Sequence, residues 1–323
     1  KIKLFFIYLD LSKPHRFLLM GFYFKYLIMK FLKIILLLIP ALIMSQKYNL
    51  DSQISKITKG KNATVGVSVL GIDFPLSYNN ANADKKLPMQ SVFKFHIAMA
   101  VLDLVDKGKL NLDQKVFIKK SELLPNTWSP IREKNPEGNF EMPISELIQY
   151  TVAQSDNVGC DVLLRLIGGT QVVQKYMDSK GAKNFRIVYN EETMQSAWKN
   201  QYENYLTMRS SSKILKDFYQ GKYLSKKSTQ FLMGVLYSTS TGPNKLVEQL
   251  PKNAKIAHKT GSSGKNKDGL TGAENDIAII TLPNGKHYAI SVFVSDSKES
   301  ETVNCKMISD ISKVVYDGLS NPK

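Results

Sequence analysis

The sequence predicts an α+β fold: a mixed α/β sandwich whose antiparallel sheet is built from both ends of the chain and covered by helices, with an all-helical domain inserted between. Three observations carry this. Val- and Ile-rich segments of strand character occupy residues 63–78 and 255–294, while the stretch between them repeats apolar residues at helical spacing. A last apolar stripe, Val303, Met307, Ile308, Ile311, Val314, Val315 and Leu319, ends the chain with one more helix. Strands gathered near the termini and helices in the middle favour an α+β arrangement over alternating βα units.

Taken in order, residues 1–45 stand apart. Met29-Lys30-Phe31-Leu32-Lys33 is short and basic, Ile34 to Ile43 is apolar, and the small Ser45 follows, the pattern of a secretory signal peptide cut before Gln46. Met29 is the expected start, with residues 1–28 as upstream sequence. An uncleaved anchor is the alternative, but Lys25, Lys30 and Lys33 interrupt a run that needs about 20 nearly uncharged residues to span a membrane. The sheet then begins with Ala63 to Ile72, and Phe74 to Tyr78 returns as its hairpin partner. Pro88 precedes a helix carried by Phe93, Ile97, Ala100, Val101, Leu104 and Val105 and ended by Lys107-Gly108. Further helices are expected from Ile144 to Gln154, from Val158 to Leu166 before Gly168-Gly169, and from a Thr170 cap to Gly181. Residues 119–143 and 184–206 read as irregular, and loops of that length are uncommon unless they serve a site. Lys255 to Ser262, Ile277 to Leu282 and Tyr288 to Val294 complete the sheet, the last two joined by a two-residue turn at Asn284-Gly285. The expected organisation is a sheet domain from residues 46–86 with 237–323, an inserted helical domain at 87–236, and a site between them.

Bulk properties narrow the function. A chain of 323 residues with 43% hydrophobic content can bury a sizeable core. The net charge is +16, and residues 1–45 hold seven Lys/Arg against one Asp. The remaining lysines are spread along the chain without aromatic interleaving or a nucleic-acid motif, so they read as a solvated basic surface and no nucleic-acid partner is expected. Cys160 and Cys305 cannot define a disulfide scaffold, and Cys160 sits in an apolar helical run as a small hydrophobe. His96, His258 and His287 lack metal-ligand spacing, which disfavours a zinc hydrolase; neither metal nor cofactor is expected.

Ser91-Val92-Phe93-Lys94 is the first motif with chemical content. Its S-x-x-K spacing recurs at Ser196/Lys199, Ser210/Lys213, Ser262/Lys265, Ser295/Lys298 and Ser320/Lys323, so spacing alone proves little. Only Ser91 opens a buried helix, where Lys94 shares its face and first-turn amides lack intrahelical partners, a setting that suits an activated nucleophile. Ser155-Asp156-Asn157 and Lys259-Thr260-Gly261 follow. Alone, the former reads as a helix cap and the latter as an edge-strand lysine.

In this order, 64 and then 104 residues apart, the three motifs resemble those of class A serine β-lactamases, and the resemblance runs over residues 46–323. Ser91-Val-Phe-Lys-Phe-His, Asn126-Thr127-Trp128 and His258-Lys-Thr-Gly resemble the PER-type extended-spectrum subgroup in particular. The resemblance implies hydrolysis of a small β-lactam through a serine acyl-enzyme, by a monomer working in the periplasm or outside the cell, free of the membrane once its signal peptide is cut. It implies that Ser91 attacks, with Lys94 beside it, and that the backbone amides of Ser91 and Ser262 form the oxyanion hole. Ser155 would relay a proton to the lactam nitrogen, and Asn157 would hold the substrate's side-chain amide. Lys259, Thr260 and Gly261 would bind its carboxylate, and Lys245, fourteen residues before Lys259 where relatives carry arginine, would offer a second grip without the bidentate fork. Glu191 is implied as the deacylation base, Gln195 standing where most members have asparagine; an exchange of roles with Glu192 stays open. Trp128 reads either as a cleft-mouth aromatic or as core.

Two other readings share the scaffold: a cell-wall D,D-peptidase or transpeptidase, and a catalytically silent binding protein. Intact motif side chains oppose silence, and Glu191 favours the hydrolase over the peptidase.

Overall fold

The computed structural model describes residues 25–31 and 50–320. Residues 25–31 form a helix, α1, in a unit of their own, and the expected apolar stretch and cut site, from Ile34 to Gln46, lie outside the described residues. No helix among the described residues is long and apolar enough to cross a membrane.

The second unit carries ten strands among its described residues. They are β1 (Thr64–Gly71), β2 (Ser77–Asn79), β3 (Leu87–Pro88), β4 (Lys115–Ile118), β5 (Phe140–Pro143), β6 (Phe185–Arg186), β7 (Tyr205–Leu206), β8 (Ile256–Ser262), β9 (Thr271–Thr281) and β10 (His287–Ser297). Its helices are α2 (50–58), α3 (Phe93–Asp106), α4 (Pro130–Lys134), α5 (Ile144–Ala153), α6 (Asn157–Ile167), α7 (Thr170–Ser179), α8 (Glu191–Ser196), α9 (Met208–Tyr219), α10 (Lys226–Tyr237) and α11 (Glu301–Ser320). The main sheet is antiparallel in the order β2-β1-β10-β9-β8, so the first strand pairs with the last, Thr64 opposite Ser295 and Gly71 opposite Tyr288.

Both faces of this sheet are covered, which is why its C-terminal strands read as near-continuous apolar runs. On β9, Ile277 and Ile279 enter one apolar cluster and Ala278 and Ile280 the other. The second cluster joins the outer face to the terminal helices through Leu50, Ile54, Met307, Ile308 and Val315. Against the inner face lies α9, brought close by small residues. Ser68 and Ser212 hydroxyls meet at 2.6 Å, Ser291 Oγ donates to Ser211 Oγ at 2.7 Å, and a Cβ on Gly66 would stand 2.9 Å from Met208 Cγ. The core of the remaining helices is α3, buried on all sides from Phe93 to Asp103, as expected of a helix apolar around its circumference.

Three local expectations are corrected. The Asn284-Gly285 turn has three residues, not two: Leu282 N donates to Lys286 O, Gly285 N donates to Leu282 O, and Gly285 sits at φ 80°, the left-handed site of a bulged hairpin. Thr170 is the first residue of α7 rather than its cap; Gly169 holds that place, and the Thr170 hydroxyl donates to Val188 O. The two irregular stretches are partly ordered. The β4–β5 hairpin begins and ends around the first, and β6 and β7 pair at the base of the second.

Candidate active site

The chain enters the site through β3, which pairs with β7, and Met89 N then donates to Asn204 O. A 3-10 turn, Gln90–Val92, follows, with Gln90 at φ 46°, so Ser91 lies in a tight turn ahead of α3 rather than on the helix. One turn on, Lys94 is fully buried. Its Nζ donates to Ser91 Oγ at 3.0 Å, to Ser155 O at 2.9 Å and to Asn157 Oδ1, and forms an ion pair with Glu191 Oε1 at 2.8 Å. Four oxygens thus surround its nitrogen.

Strand β8 passes directly beside this turn. A Cβ on Gly261 would meet Met89 O at 2.7 Å and Ser91 N at 3.1 Å, so glycine is required by close approach of two backbones. Gly261→Ala is therefore expected to push β8 from the Ser91 turn and to reduce turnover at least about tenfold, given how steeply rate depends on such positioning. Steady-state kinetics beside a melting curve would check it.

Ser155 occupies φ 57°, and its Oγ accepts from Lys259 Nζ at 3.0 Å. Asp156, fully buried, caps α6 through Gly159 N at 2.8 Å and accepts from Ser129 Oγ and Ile131 N. Burial raises its carboxyl above the ordinary range against those hydrogen bonds. The cap reading thus belongs to Asp156, while Ser155 and Asn157 face the cluster. Asn157 is engaged at both ends, with Lys94 and with Thr127 Oγ1 at 2.7 Å.

Glu191 opens α8. It is 3% exposed, whereas Glu192 faces solvent, which separates the two carboxylates. Its Oε1 lies 3.4 Å from Ser91 Oγ, and its Oε2 accepts from Gln195 Nε2 at 3.1 Å. Two residues that sequence reasoning missed hold this segment. Asp161 accepts from Glu191 N at 2.8 Å, Glu192 N at 3.0 Å and Asn190 Nδ2 at 3.0 Å; Asn204 bonds Val188 and Tyr189 backbone groups. Asp161 stands four residues after Asn157 and so on the same face of α6, a signal that could have found it.

Burial first, and then the Glu191 charge, push the Asp161 carboxyl up to about 6 despite the hydrogen bonds it accepts. With the folded value raised above the unfolded one, the folded state holds the extra proton between them. Its stabilising contribution is complete below the unfolded value of about 3.9 and is lost as pH rises through about 6. Asp161→Asn should remove that slope, so the difference in denaturation midpoint between wild type and variant should shrink as pH rises from 4 to 7; a constant difference would be the contrary result.

Lys259, also fully buried, donates to Ser155 Oγ and to Thr260 O. Burial and then the Lys94 charge hold it well below the usual lysine range, with Lys245 acting in the same sense and Asp276 and Glu191 opposing. Thr260 Oγ1 meets Thr241 Oγ1 at 2.6 Å. Above these groups lies a cleft of about 690 Å³ lined by Ser91, Ser155, Asn157, Glu191, Thr260 and Gly261, with Trp128, Gln195, Lys245 and Ser262 around them, a size suited to a drug-sized molecule. Trp128 is 56% exposed with Nε1 donating to Gln154 O at 2.8 Å, so it belongs to the rim and not the core. Lys245 does not present a free ammonium. It is buried and ion-paired with Glu274 Oε2 at 2.7 Å, a partner from β9 with no local sequence signature.

Comparison with known proteins places this geometry. The family model described as "Beta-lactamase enzyme family" matches residues 49–319. The chain is 45% identical to β-lactamase VEB-1 of Pseudomonas aeruginosa, over 90% of this chain and 98% of that protein. It is 43% identical to extended-spectrum β-lactamase PER-1 of Pseudomonas aeruginosa, over 83% and 86% respectively. The crystal structure of TLA-3 extended-spectrum β-lactamase superposes with a TM-score of 0.84 at 48% identity, covering 85% of this chain and all of that one. A class A β-lactamase from Bacteroides cellulosilyticus gives 0.81 at 37%. Likeness of this extent in sequence and fold together leaves one assignment: the chain belongs to the β-lactamase enzyme family, as a class A serine enzyme that hydrolyses β-lactams.

Proposed function

We propose that Ser91 is the nucleophile and that Glu191 directs the water that releases the acyl-enzyme, in an enzyme whose substrates include extended-spectrum cephalosporins. The observation that carries the reading is one shared cluster: Lys94 Nζ touches both Ser91 Oγ and Glu191 Oε1, and those two oxygens are 3.4 Å apart. The Ser91 proton leaves to this Lys94–Glu191 pair, for which Glu191 Oε1 at 3.4 Å and Lys94 Nζ at 3.0 Å are the two atoms in reach. As the Oγ–C bond forms and the lactam C–N bond breaks, Ser155 protonates the nitrogen, and the proton that left Ser91 is returned through the lysine cluster to the Ser155 hydroxyl, which Lys259 Nζ holds at 3.0 Å, so Glu191 is a carboxylate when water arrives. The amides of Ser91 and Ser262 hold the oxyanion. Lys259 and Thr260 receive the substrate carboxylate beside Gly261, and Asn157, Gln195 and Trp128 border its side chain.

The extended-spectrum reading draws on PER-1 and TLA-3, which carry that term in their names. We further propose an exported monomer cut near Ser45/Gln46, with residues 46–86 and 237–323 as sheet domain and 87–236 as helical domain. The test is turnover of a chromogenic cephalosporin and of a bulky-side-chain cephalosporin by purified protein. Many equivalents should be consumed; arrest after one would favour the D,D-peptidase reading.

A further inference from the structure

Three lysines stand at the site, Lys245 in the lining of the cleft and Lys94 and Lys259 fully buried behind Ser91 and Ser155, and two of them are matched by carboxylates. Lys94 pairs with Glu191 and Lys245 with Glu274, whereas Lys259 makes no ion pair among the described residues. The second pair is built with care for every donor. Glu274 lies on β9 directly opposite Ser262 on β8. Its Oε2 accepts from Ser262 Oγ at 2.9 Å as well as from Lys245 Nζ, and Lys245 also donates to Ser262 Oγ at 2.8 Å, Gly261 O at 3.2 Å and Asn275 O at 3.4 Å. Both charged side chains are 4% exposed. The Ser262 hydroxyl donates its proton to Glu274 and accepts from Lys245, so this residue of the cleft lining is tied to the triad.

We propose that Glu274 is a positioning residue that masks Lys245: the Lys245–Glu274–Ser262 triad is electrically neutral, so a substrate carboxylate entering beside β8 finds no unpaired cation at Lys245. This rests on the β-lactam reading and reassigns Lys245 from gripping the carboxylate to being held from it. A direct grip would set two carboxylates in competition for one ammonium already surrounded by four oxygens. Masking has a different use. It limits the attraction for anions, including the ring-opened product, which keeps its carboxylate and gains a second.

The experiment is steady-state kinetics of Glu274→Gln, Lys245→Met and the double variant with an anionic chromogenic cephalosporin, at low salt and at about 0.5 M salt, where the Debye length falls to a few ångströms. Gln keeps an acceptor for Ser262 but removes the masking charge. Glu274→Gln should lower KM about fivefold at low salt and lose most of that gain at high salt; Lys245→Met, leaving Glu274 unmatched, should raise KM about fivefold. The double variant, again neutral, should lie between the two, with kcat changing less than KM throughout. Because that variant carries no unmatched buried charge, it keeps the test open if a single variant folds poorly. A double variant as weak as Lys245→Met would show that Lys245 itself grips the substrate and would overturn the proposal. So would KM values that stay fixed while kcat and melting temperature fall together, the mark of packing alone. Absence of wild-type turnover would instead sink the hydrolase reading and this proposal with it.

Discussion

Ser91→Ala is expected to abolish covalent labelling by a mechanism-based β-lactam and to lower kcat about ten-thousandfold or more, as loss of a nucleophile does in serine hydrolases. Structure should survive. Ser91 is half-buried, and its hydroxyl is one of four oxygens around Lys94, three of which remain in the variant. Intact-mass spectrometry after incubation with a penicillin reads the adduct, and a melting curve within a few degrees of wild type confirms the fold. A residual adduct on the variant, at Ser155 or Ser262, would move the nucleophile.

The second large effect is expected at Glu191. Glu191→Ala should still acylate but stall after a burst of about one equivalent, with deacylation slowed by about 10² to 10⁴. It also strips Lys94 of its carboxylate in a fully buried setting, a change that costs about 3–5 kcal/mol for a buried pair, so the melting temperature should fall as well. Glu191→Gln separates the two effects: an acceptor remains for Lys94, while the base is gone, so stalling should persist with a smaller loss of stability. Glu192→Ala, altering an exposed carboxylate, should turn over like wild type. Single-turnover kinetics with adduct detection would decide, and unchanged hydrolysis in Glu191→Ala would place the base elsewhere.

What was legible in the sequence was whatever leaves a local trace. Strand and helix periods gave the layers, and Ser91, Ser155 and Lys259 were visible because each sits in a short run whose residue types have joint chemical use. Glu191 was found through the resemblance, and its burial beside an exposed Glu192 needed the fold. Partners from distant segments were silent. Glu274 meets Lys245 only because β8 and β9 pair in one register, and Asp161 meets the Glu191 amide across the packing of α6 on α8. The Thr170 and Asn284-Gly285 corrections have a smaller cause: several residues can start a helix or close a hairpin, and side-chain bonds such as Thr170 to Val188 O choose among them.

The pairing of β1 with β10 also governs when this protein can form at all. Thr64 and Ser295 are neighbours in the sheet but lie 231 residues apart in the chain. Bringing such ends together carries a length-dependent entropy of about 5 kcal/mol before any contact repays it. Until β10 has been synthesised, β1 has only the three-residue β2 beside it, and the outer-face core that both terminal helices cover does not exist. Sheet assembly is thus a late and slow event, typical of contacts with high sequence separation. A chain shortened before residue 287 would retain β8 and β9 as a hairpin with one long apolar edge exposed, a template for aggregation.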